Sequence, residues 1–199
     1  MSLKIKVYLD YICPFCIIAM KSFCDVIKNK NIEVELIPFE ICKVGEEKLN
    51  PLEDEDVANL WREEIFPASK KLNMNLNIPT IIPHPYTNLA FQGFYFAKQY
   101  NKEKEYSKRV YIAFFYENQD IEKVDVIARL AGEVGLDKYQ CLQKLEEGKY
   151  KEMQYYYIKE AEDDKIEIVP TFTIGDSRLE GLISKEEFEK VIENEIKKS

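Results

Sequence analysis

Glycine is scarce in this chain, with 7 among 199 residues. Neither of the two common phosphate-binding loops, which need several glycines at fixed spacings, is present. Because glycine weakens helices and marks tight turns, its scarcity also favours long helical segments. The sequence therefore disfavours nucleotide binding and predicts a helix-rich protein.

Two further absences limit the partners of the chain. The formal net charge is −8, whereas a nucleic-acid surface needs a basic stripe that replaces the counterions of the phosphates. The longest apolar run is far shorter than the roughly 20 residues of a membrane-spanning helix. Residues 1–10 alternate as a strand does and do not resemble a signal peptide. We therefore expect a cytoplasmic protein that binds neither nucleic acid nor a membrane.

Metal sites and a histidine base are also missing from the pattern. Cys24, Cys42 and Cys141 have no further cysteine or histidine at the spacing of a zinc site. The single histidine, His84, lies in a proline-rich loop, whereas a cysteine hydrolase needs a histidine base beside its nucleophile. The sequence therefore predicts no metal and no cofactor, and it favours a packing role for His84.

A Cys-Pro-Phe-Cys motif occupies residues 13–16, between an alternating run at residues 3–10 and a helical pattern. Cys13 falls at the N-cap or first residue of that helix, so its sulfur faces unpaired backbone N–H groups, which favour a thiolate. Pro14 suits the first helical turn because no N–H is needed there. Cys16 follows one turn later, within reach of a mixed disulfide at Cys13. A dithiol at such a junction is typical of thiol–disulfide chemistry.

The apolar positions after the motif indicate different roles for the two cysteines. They repeat with a helical period and predict a buried face formed by Cys16, Met20, Phe23, Cys24 and Ile27. Cys16 therefore begins the buried face, and we expect Cys13 at an exposed edge. This predicts that Cys13 is the nucleophile and that Cys16 is the resolving cysteine. Two roles are open to Asp10, three residues before the motif. One is an influence on the proton transfers of the dithiol, and the other, which the sequence favours, is surface capping.

The whole chain predicts an α/β fold with a large helical insertion. Residues 32–36 alternate again, so strand, helix and strand form a parallel βαβ unit. Residues 54–164 are almost wholly helical in pattern, with an interruption at Pro67. A strand over residues 165–174, a hairpin to residues 178–180 and a last helix from Ser184 follow. The predicted α/β domain comprises residues 1–45 and 160–199, and the helical insertion comprises residues 46–159.

These features together resemble the DsbA-like branch of the thioredoxin superfamily and, within it, the cytosolic FrnE-like proteins. The resemblance rests on residues 8–16 with their Cys-Pro-Phe-Cys motif, on the helical stretches 87–100 and 120–137, and on residues 169–172, Val-Pro-Thr-Phe. It covers nearly the full length. It implies a thioredoxin fold interrupted by a helical domain.

The resemblance also implies a substrate site around the two cysteines. Pro170 would form a cis peptide bond beside the dithiol, and the Val169 backbone would offer hydrogen bonds to an extended substrate. Pro14 and Phe15, between the cysteines, would contact the substrate as well. The family commonly has tryptophan or histidine in place of Phe15, so a strongly oxidising potential is not expected here.

Two classes of enzyme are consistent with these residues. The first is a thiol–disulfide oxidoreductase that uses Cys13 and Cys16 on protein or small-molecule disulfides and thiols, glutathione among them. The second is a glutathione-linked transferase or isomerase of the kappa type, such as 2-hydroxychromene-2-carboxylate isomerase, which typically has serine at the position of Cys13. The intact cysteine pair favours the first class. A non-enzymatic redox sensor with the same dithiol is a third alternative.

Aromatic residues offer two further hypotheses. The first is an apolar rim around the dithiol, formed by Tyr11, Phe15, Phe39 and Trp61. Of these residues, Phe15 lies near the sulfurs because it is part of the motif. The consecutive tyrosines 155–157 span most of a helical turn, so they cannot all face one site. We expect most of these tyrosines to pack in the core and between helices.

Overall fold

Residues 2–198, which the computed structural model describes, form a mixed four-stranded sheet covered by helices. The strands are β1 (Leu3–Leu9), β2 (Ile32–Pro38), β3 (Thr171–Ile174) and β4 (Ser177–Glu180). Their order is β2-β1-β3-β4, with β1 parallel to β2 and antiparallel to β3. The predicted α/β class and its parallel βαβ unit are therefore confirmed.

The helices account for most of the segment between β2 and β3, as predicted. They are α1 (Pro14–Ile27), α2 (Glu55–Leu60), α3 (Phe66–Lys71), α4 (Asn88–Lys98), α5 (Glu103–Phe115), α6 (Val124–Glu133), α7 (Lys138–Glu146), α8 (Lys151–Asp163) and α9 (Lys185–Lys198). Asp137 caps α7, since its carboxylate accepts the backbone N–H groups of Tyr139 and Gln140. Across residues 2–198, no helix has both the length and the apolar character that a bilayer crossing requires. The division into two domains stays a prediction.

Pro67 does not interrupt the helix around it. A π-helical turn, Trp61–Ile65, joins α2 to α3, and the Phe66 N–H bonds to the Trp61 carbonyl five residues back. This wider turn leaves Pro67 in the first turn of α3, where its missing N–H costs little. The predicted interruption is therefore wrong, because helical structure continues through residues 55–71.

β3 is shorter than the strand predicted over residues 165–174. It begins at Thr171, which lies opposite Tyr8 of β1. The residues before it belong to the end of α8, where the Ile166 N–H bonds back to the Ala161 carbonyl and Lys165 has a φ of 53°. Such a left-handed residue closes a helix, and the chain then crosses to the sheet as an irregular segment. The strand prediction is therefore wrong for residues 165–170.

α1 buries a face that differs from the predicted one. The buried residues of this helix are Cys16, Ile18, Ala19, Ser22, Phe23 and Val26. Met20 and Ile27 are partly exposed, and Cys24 is exposed. The prediction is therefore wrong at Cys24, because a shifted stripe of the same helical period packs against the sheet.

Three phenylalanines set the orientation of α1. The Phe23 ring centroid lies 5.0 Å from that of Phe172 on β3 and 5.3 Å from that of Phe188 on α9. The Phe172 and Phe188 centroids are 4.8 Å apart. All three side chains are fully buried, and such aromatic groups contribute strongly to a core. This cluster turns the neighbouring Cys24 toward solvent.

The helical layer holds the segment that leads from β1 to the cysteine motif. The Tyr111 hydroxyl on α5 donates to the Asp10 carbonyl at 3.1 Å. The Tyr11 hydroxyl lies 2.9 Å from Ser107 Oγ on the same helix, and the Tyr11 ring packs 4.7 Å from that of Phe91 on α4. The approach to α1 is therefore fixed by buried contacts with both α4 and α5.

α8 exposes most of the tyrosine cluster at residues 155–157. Tyr155 is 72% exposed and Tyr156 is 63% exposed. Tyr157 packs inward instead, stacked on Tyr95 of α4 with ring centroids 5.2 Å apart. The prediction that most of these tyrosines lie in the core is therefore wrong, because α8 covers β2 and α4 with one face and leaves the other to solvent.

Candidate active site

Cys13 is the N-cap of α1. Its backbone is extended, with φ −82° and ψ 112°, and Pro14 begins the helix. The Cys13 N–H donates to the Asp10 carbonyl at 3.2 Å, and the Cys16 N–H donates to the Cys13 carbonyl at 3.2 Å. The predicted strand–helix junction is confirmed. Cys13 thus occupies the position toward which the unpaired N–H groups of a first helical turn point.

Both cysteines of the motif are free and buried. Cys13 is 3% exposed and Cys16 is 0% exposed. The Cys13 Sγ donates to the Val169 carbonyl at 3.4 Å, so the segment before β3 covers this sulfur. The exposed edge predicted for Cys13 is therefore wrong, because a distant part of the chain packs onto the start of α1.

The two sulfurs lie close enough to influence each other. Burial raises the pKa of the Cys16 thiol well above its ordinary value, and a hydrogen bond with the Cys13 side chain raises it further. The Asp10 N–H acts in the opposite direction, since it stabilises a Cys16 thiolate. A charged sulfur is thus disfavoured at Cys16, which is stable as a thiol or within a disulfide.

Val169 and Pro170 reach the dithiol from the other end of the sequence. The Val169–Pro170 peptide bond is cis, in agreement with the sequence prediction. Pro170 is buried and Val169 is half-buried, and the Pro170 carbonyl accepts the Gly181 N–H at 2.9 Å. The Thr171 hydroxyl also donates to the Ile168 carbonyl at 2.7 Å. These bonds hold the segment so that Val169 contacts Cys13, 156 positions earlier.

Pro14 and Phe15 are both half-buried between the two buried cysteines. Of the other residues in the hypothetical aromatic rim, Phe39 is half-buried as well. Tyr11 and Trp61 are only 0% and 3% exposed, since they pack within the core. A rim formed by all four aromatic residues is therefore wrong, whereas Pro14 and Phe15 keep part of their apolar surface exposed within the motif.

Residues 4–193 match the family model of the DSBA-like thioredoxin domain. The chain belongs to this family. It is also 45% identical to the uncharacterized protein YwbO of Bacillus subtilis (strain 168), over 199 residues that cover 100% of both chains. The predicted relationship to DsbA-like proteins is therefore confirmed.

Two solved structures share the fold of this DSBA-like protein. The probable DsbA oxidoreductase SCO1869 from Streptomyces coelicolor has a TM-score of 0.87 at 15% identity, covering 100% of this chain and 92% of that one. The cytosolic disulfide reductase DsbM from Pseudomonas aeruginosa with GSH has a TM-score of 0.72 at 11% identity, covering 98% of this chain and 100% of that one. At these identities the likeness is one of fold, and it confirms the predicted thioredoxin fold with helical content.

The sequence reasoning missed a buried carboxyl group beside the dithiol of this DSBA-like protein. Asp10 is 0% exposed, so its predicted role as a surface cap is wrong. Its Oδ2 accepts the Ile41 N–H at 2.7 Å, whereas its Oδ1 has no hydrogen-bond partner within residues 2–198. Burial raises the pKa of Asp10 to about 7. An acidic residue directly after a buried strand, three positions before a cysteine, was the available signal.

The remaining cysteines have surroundings of other kinds. Cys24 lies on the exposed face of α1. The Cys42 Sγ donates to the Glu47 carbonyl at 3.1 Å, and Cys141 is buried in α7, where desolvation raises its pKa to about 12. Among these five free cysteines of the DSBA-like fold, Cys13 and Cys16 are the pair that shares a helix N-terminus.

His84 packs as the sequence predicts. Its Nδ1 bonds to the Ile81 carbonyl at 3.0 Å, and its ring meets the Phe114 ring edge-on with centroids 5.3 Å apart. Burial lowers the pKa of this histidine, so the ring is neutral at pH 7. In the part of the chain from residue 2 to residue 198, no group of three or more metal-ligating side chains is assembled.

Proposed function

We propose that this protein is a thiol–disulfide oxidoreductase in which Cys13 is the nucleophile and Cys16 is the resolving cysteine. The observation that carries the proposal is the arrangement of the two thiols in the first turn of α1. Cys16 is fully enclosed, and Cys13 lies outside it against the Val169 carbonyl. Membership of the DSBA-like family supports the same chemistry.

The proposed reaction moves two electrons between the dithiol and a substrate. In the oxidised protein, a substrate thiolate attacks the Cys13 sulfur, the Cys13–Cys16 bond breaks, and a mixed disulfide forms. A second substrate thiolate then releases Cys13, so that the substrate leaves as a disulfide and the protein as a dithiol. In the opposite direction Cys13 attacks a substrate disulfide, and Cys16 then displaces the bound substrate thiolate. The substrates proposed are protein or small-molecule disulfides and thiols.

Pro14, Phe15, Val169 and Pro170 are the proposed substrate contacts. The first three are half-buried around Cys13, and the Val169 backbone already contacts its sulfur. An extended peptide can pair with such a backbone segment while its own sulfur approaches Cys13. The DsbA-like relative DsbM carries GSH, so glutathione is included among the proposed partners. Five free cysteines agree with a reducing compartment, and we place the protein in the cytoplasm.

The asymmetry of the two thiols is the direct test. Cys16→Ser should accumulate a mixed disulfide at Cys13 when exposed to oxidised glutathione or to cell extract, because nothing completes the exchange. Cys13→Ser should form no adduct at residue 16, since that side chain is enclosed. Cys24→Ser, in the same helix, is the matched control. Non-reducing gels with mass spectrometry measure the adducts, and equal trapping by both motif variants would contradict the proposal.

A kappa-type glutathione transferase or isomerase, such as 2-hydroxychromene-2-carboxylate isomerase, is the second candidate. Its support is the position of Cys13 at a helix N-terminus, where those enzymes typically have serine. Such an enzyme needs no resolving thiol, so Cys16→Ser would keep full activity with glutathione and an electrophile. A redox sensor, the third candidate, would form the Cys13–Cys16 disulfide without catalytic turnover. Activity assays of the wild type beside Cys16→Ser thus separate the three functions, since a sensor shows no turnover even in the wild type.

A further inference from the structure

We infer that Arg178 is a positioning residue for disulfide exchange: it fixes the end of α8 and thereby keeps the Val169 carbonyl against the Cys13 sulfur. This inference rests on the proposed oxidoreductase function, in which Val169 is one of the substrate contacts. Arg178 lies on β4, at the edge of the sheet. Its side chain reaches the segment that connects α8 to β3.

One row of paired side chains crosses the face of the sheet that carries the end of α8. Lys6 of β1 lies opposite Thr173 of β3, and Thr173 lies opposite Arg178 of β4. Residues opposite each other share a face of the sheet, so Lys6 and Arg178 project from the same face. Lys6 donates to Glu160 and to Asp164 at the end of α8, each at 2.9 Å. The sheet thus offers two cations to this end of the helix.

The Arg178 guanidinium binds the carbonyl groups at the end of α8. Its Nη2 donates to the Asp164 carbonyl at 2.5 Å, and its Nη1 donates to the Lys165 carbonyl at 3.2 Å. Carbonyl groups at the C-terminal end of a helix lack partners within the helix and carry its negative partial charge, so a cation is favoured there. A guanidinium bonds two of them at once because its donors form a planar fork. Arg178 therefore fixes the point at which the chain leaves α8.

The Asp164 side chain attaches the same point to β1. Its carboxylate accepts the Tyr8 hydroxyl, and it accepts the Lys6 ammonium at 2.9 Å. These two bonds lower the pKa of Asp164, so the carboxylate is charged at neutral pH. Tyr8 is fully buried. The end of α8 is thus held from β1 through a side chain and from β4 through its backbone.

A short irregular segment connects this anchor to the dithiol. Ile166 is buried in a small apolar cluster, against which Val169 packs. Glu167 and Ile168, between them, are exposed, so their side chains do not hold the backbone. The Val169 carbonyl accepts a hydrogen bond from the Cys13 thiol at 3.4 Å. The position of this carbonyl therefore depends on the point at which the chain leaves α8.

The contact between Val169 and Cys13 has two consequences for disulfide exchange. The Val169 segment covers the sulfur, and a peptide that pairs with this segment has its own sulfur aligned with Cys13. Without Arg178, the end of α8 loses both bonds and the Val169 carbonyl moves away from Cys13. The sulfur then becomes more accessible to a small reagent, whereas an extended peptide binds less tightly. A general loss of stability would instead expose every buried cysteine.

Arg178→Gln and Arg129→Gln form a matched pair for the first test. Arg129 on α6 is also an exposed arginine whose two terminal nitrogens are hydrogen-bonded. The reduced proteins are treated briefly with iodoacetamide at pH 7, and mass spectrometry measures labelling of Cys13 and of Cys141, which is buried in α7. Arg178→Gln should speed labelling of Cys13 by about tenfold, as loss of a charge-assisted hydrogen bond predicts, and leave Cys141 unchanged. Arg129→Gln should change neither.

Steady-state kinetics provide the second test. The substrate is a peptide with one internal disulfide, and dithiothreitol is the reductant that returns the protein to its dithiol form. Arg178→Gln should raise KM for the peptide by about fivefold and change kcat by less than about twofold, because lost positioning weakens binding of substrate and transition state alike. Arg178→Lys keeps the charge without the planar fork, so it should recover part of both effects. Arg129→Gln should keep the wild-type constants.

Three results would overturn the inference and leave the oxidoreductase function intact. They are an unchanged rate of Cys13 labelling in Arg178→Gln, an equal acceleration at Cys141, and an unchanged KM for the peptide. If Arg178→Gln does not fold, Arg178→Lys is subject to the same criteria. A wild-type protein that does not turn over the peptide disulfide would refute the proposed function, and the labelling rates would still test whether Arg178 positions Val169.

Discussion

Cysteines in the two halves of α1 differ in burial. At its N-terminal turn, Cys13 and Cys16 are enclosed by the Val169 segment and by Asp10. Two turns later, Cys24 faces solvent, since Phe23 takes the buried position beside it. The surroundings of a sulfur therefore depend on what packs over the helix, and the helical period by itself does not determine them.

Removing the sulfur from each half of the helix in turn tests this difference, and the largest effect is expected at Cys13. Cys13→Ser should reduce the rate of exchange between dithiothreitol and oxidised glutathione catalysed by the protein by about 10³-fold or more, because a serine hydroxyl is not ionised at neutral pH. Cys24→Ser should leave that rate unchanged. Turnover assays measure this rate for both variants. Comparable losses in the two would contradict the assignment of the exchange reaction to the N-terminal turn.

The second largest effect is expected where the middle of α1 meets the core. Phe23→Ala should lower the free energy of unfolding by about 3–5 kcal/mol, because a buried ring in contact with Phe172 and Phe188 is lost. Cys24→Ala, one position along, should change it by less than about 0.5 kcal/mol. Urea denaturation followed by circular dichroism measures both. Similar values for the two variants would place Cys24 in the core after all.

Asp10, next to the N-terminal turn, is expected to make the free energy of unfolding depend on pH. Its pKa is raised from 3.8 to about 7 in the folded protein, so the stability it contributes is full below pH 4 and is lost as the pH rises through 7. Asparagine never ionises, so Asp10→Asn should gain up to about 4 kcal/mol relative to wild type between pH 4 and pH 8.

Urea midpoints of the two proteins at pH 4, 6 and 8 measure this gain. Glu40→Gln is the control, since the Glu40 carboxylate keeps an amide partner in the folded protein and should show a smaller change. A difference between Asp10→Asn and wild type that does not vary with pH would mean that Asp10 does not titrate between these limits.

The smallest effect concerns the exposed sulfur. Although Cys24 lies on the exposed face, partial desolvation of its sulfur by neighbouring groups raises its pKa, and the Asp25 carboxylate raises it further. The raised pKa slows alkylation near neutral pH. Asp25→Asn should therefore speed iodoacetamide labelling of Cys24 at pH 8 by roughly twofold and leave labelling of Cys13 unaltered. Mass spectrometry of peptides after brief exposure follows both sites. A change at Cys13 instead would indicate that the two halves of the helix are coupled.

Features that depend on neighbouring residues can be predicted from the sequence. The strand–helix junction at Cys13 and the parallel pairing of β1 with β2 both follow from neighbouring residues. The wrong predictions concern positions where the surrounding structure overrides a rule based on a single residue or a short repeat. Pro67 lies within continuous helical structure because the π-helical turn before it leaves Pro67 in the first turn of α3, where an N–H is not needed. Tyr155 and Tyr156 remain in solvent because α8 offers a single face to the sheet.

Neighbouring residues suffice to predict that a dithiol begins a helix after a strand, since capping, proline position and periodicity act within a few residues. Tertiary structure decided how that dithiol is surrounded. The Val169 carbonyl reaches Cys13 across 156 positions, and Asp10 becomes a buried carboxyl because Ile41, Tyr111 and the first turn of α1 close around it. Burial is a property of the packed chain, and burial raises the pKa values of both Asp10 and Cys16.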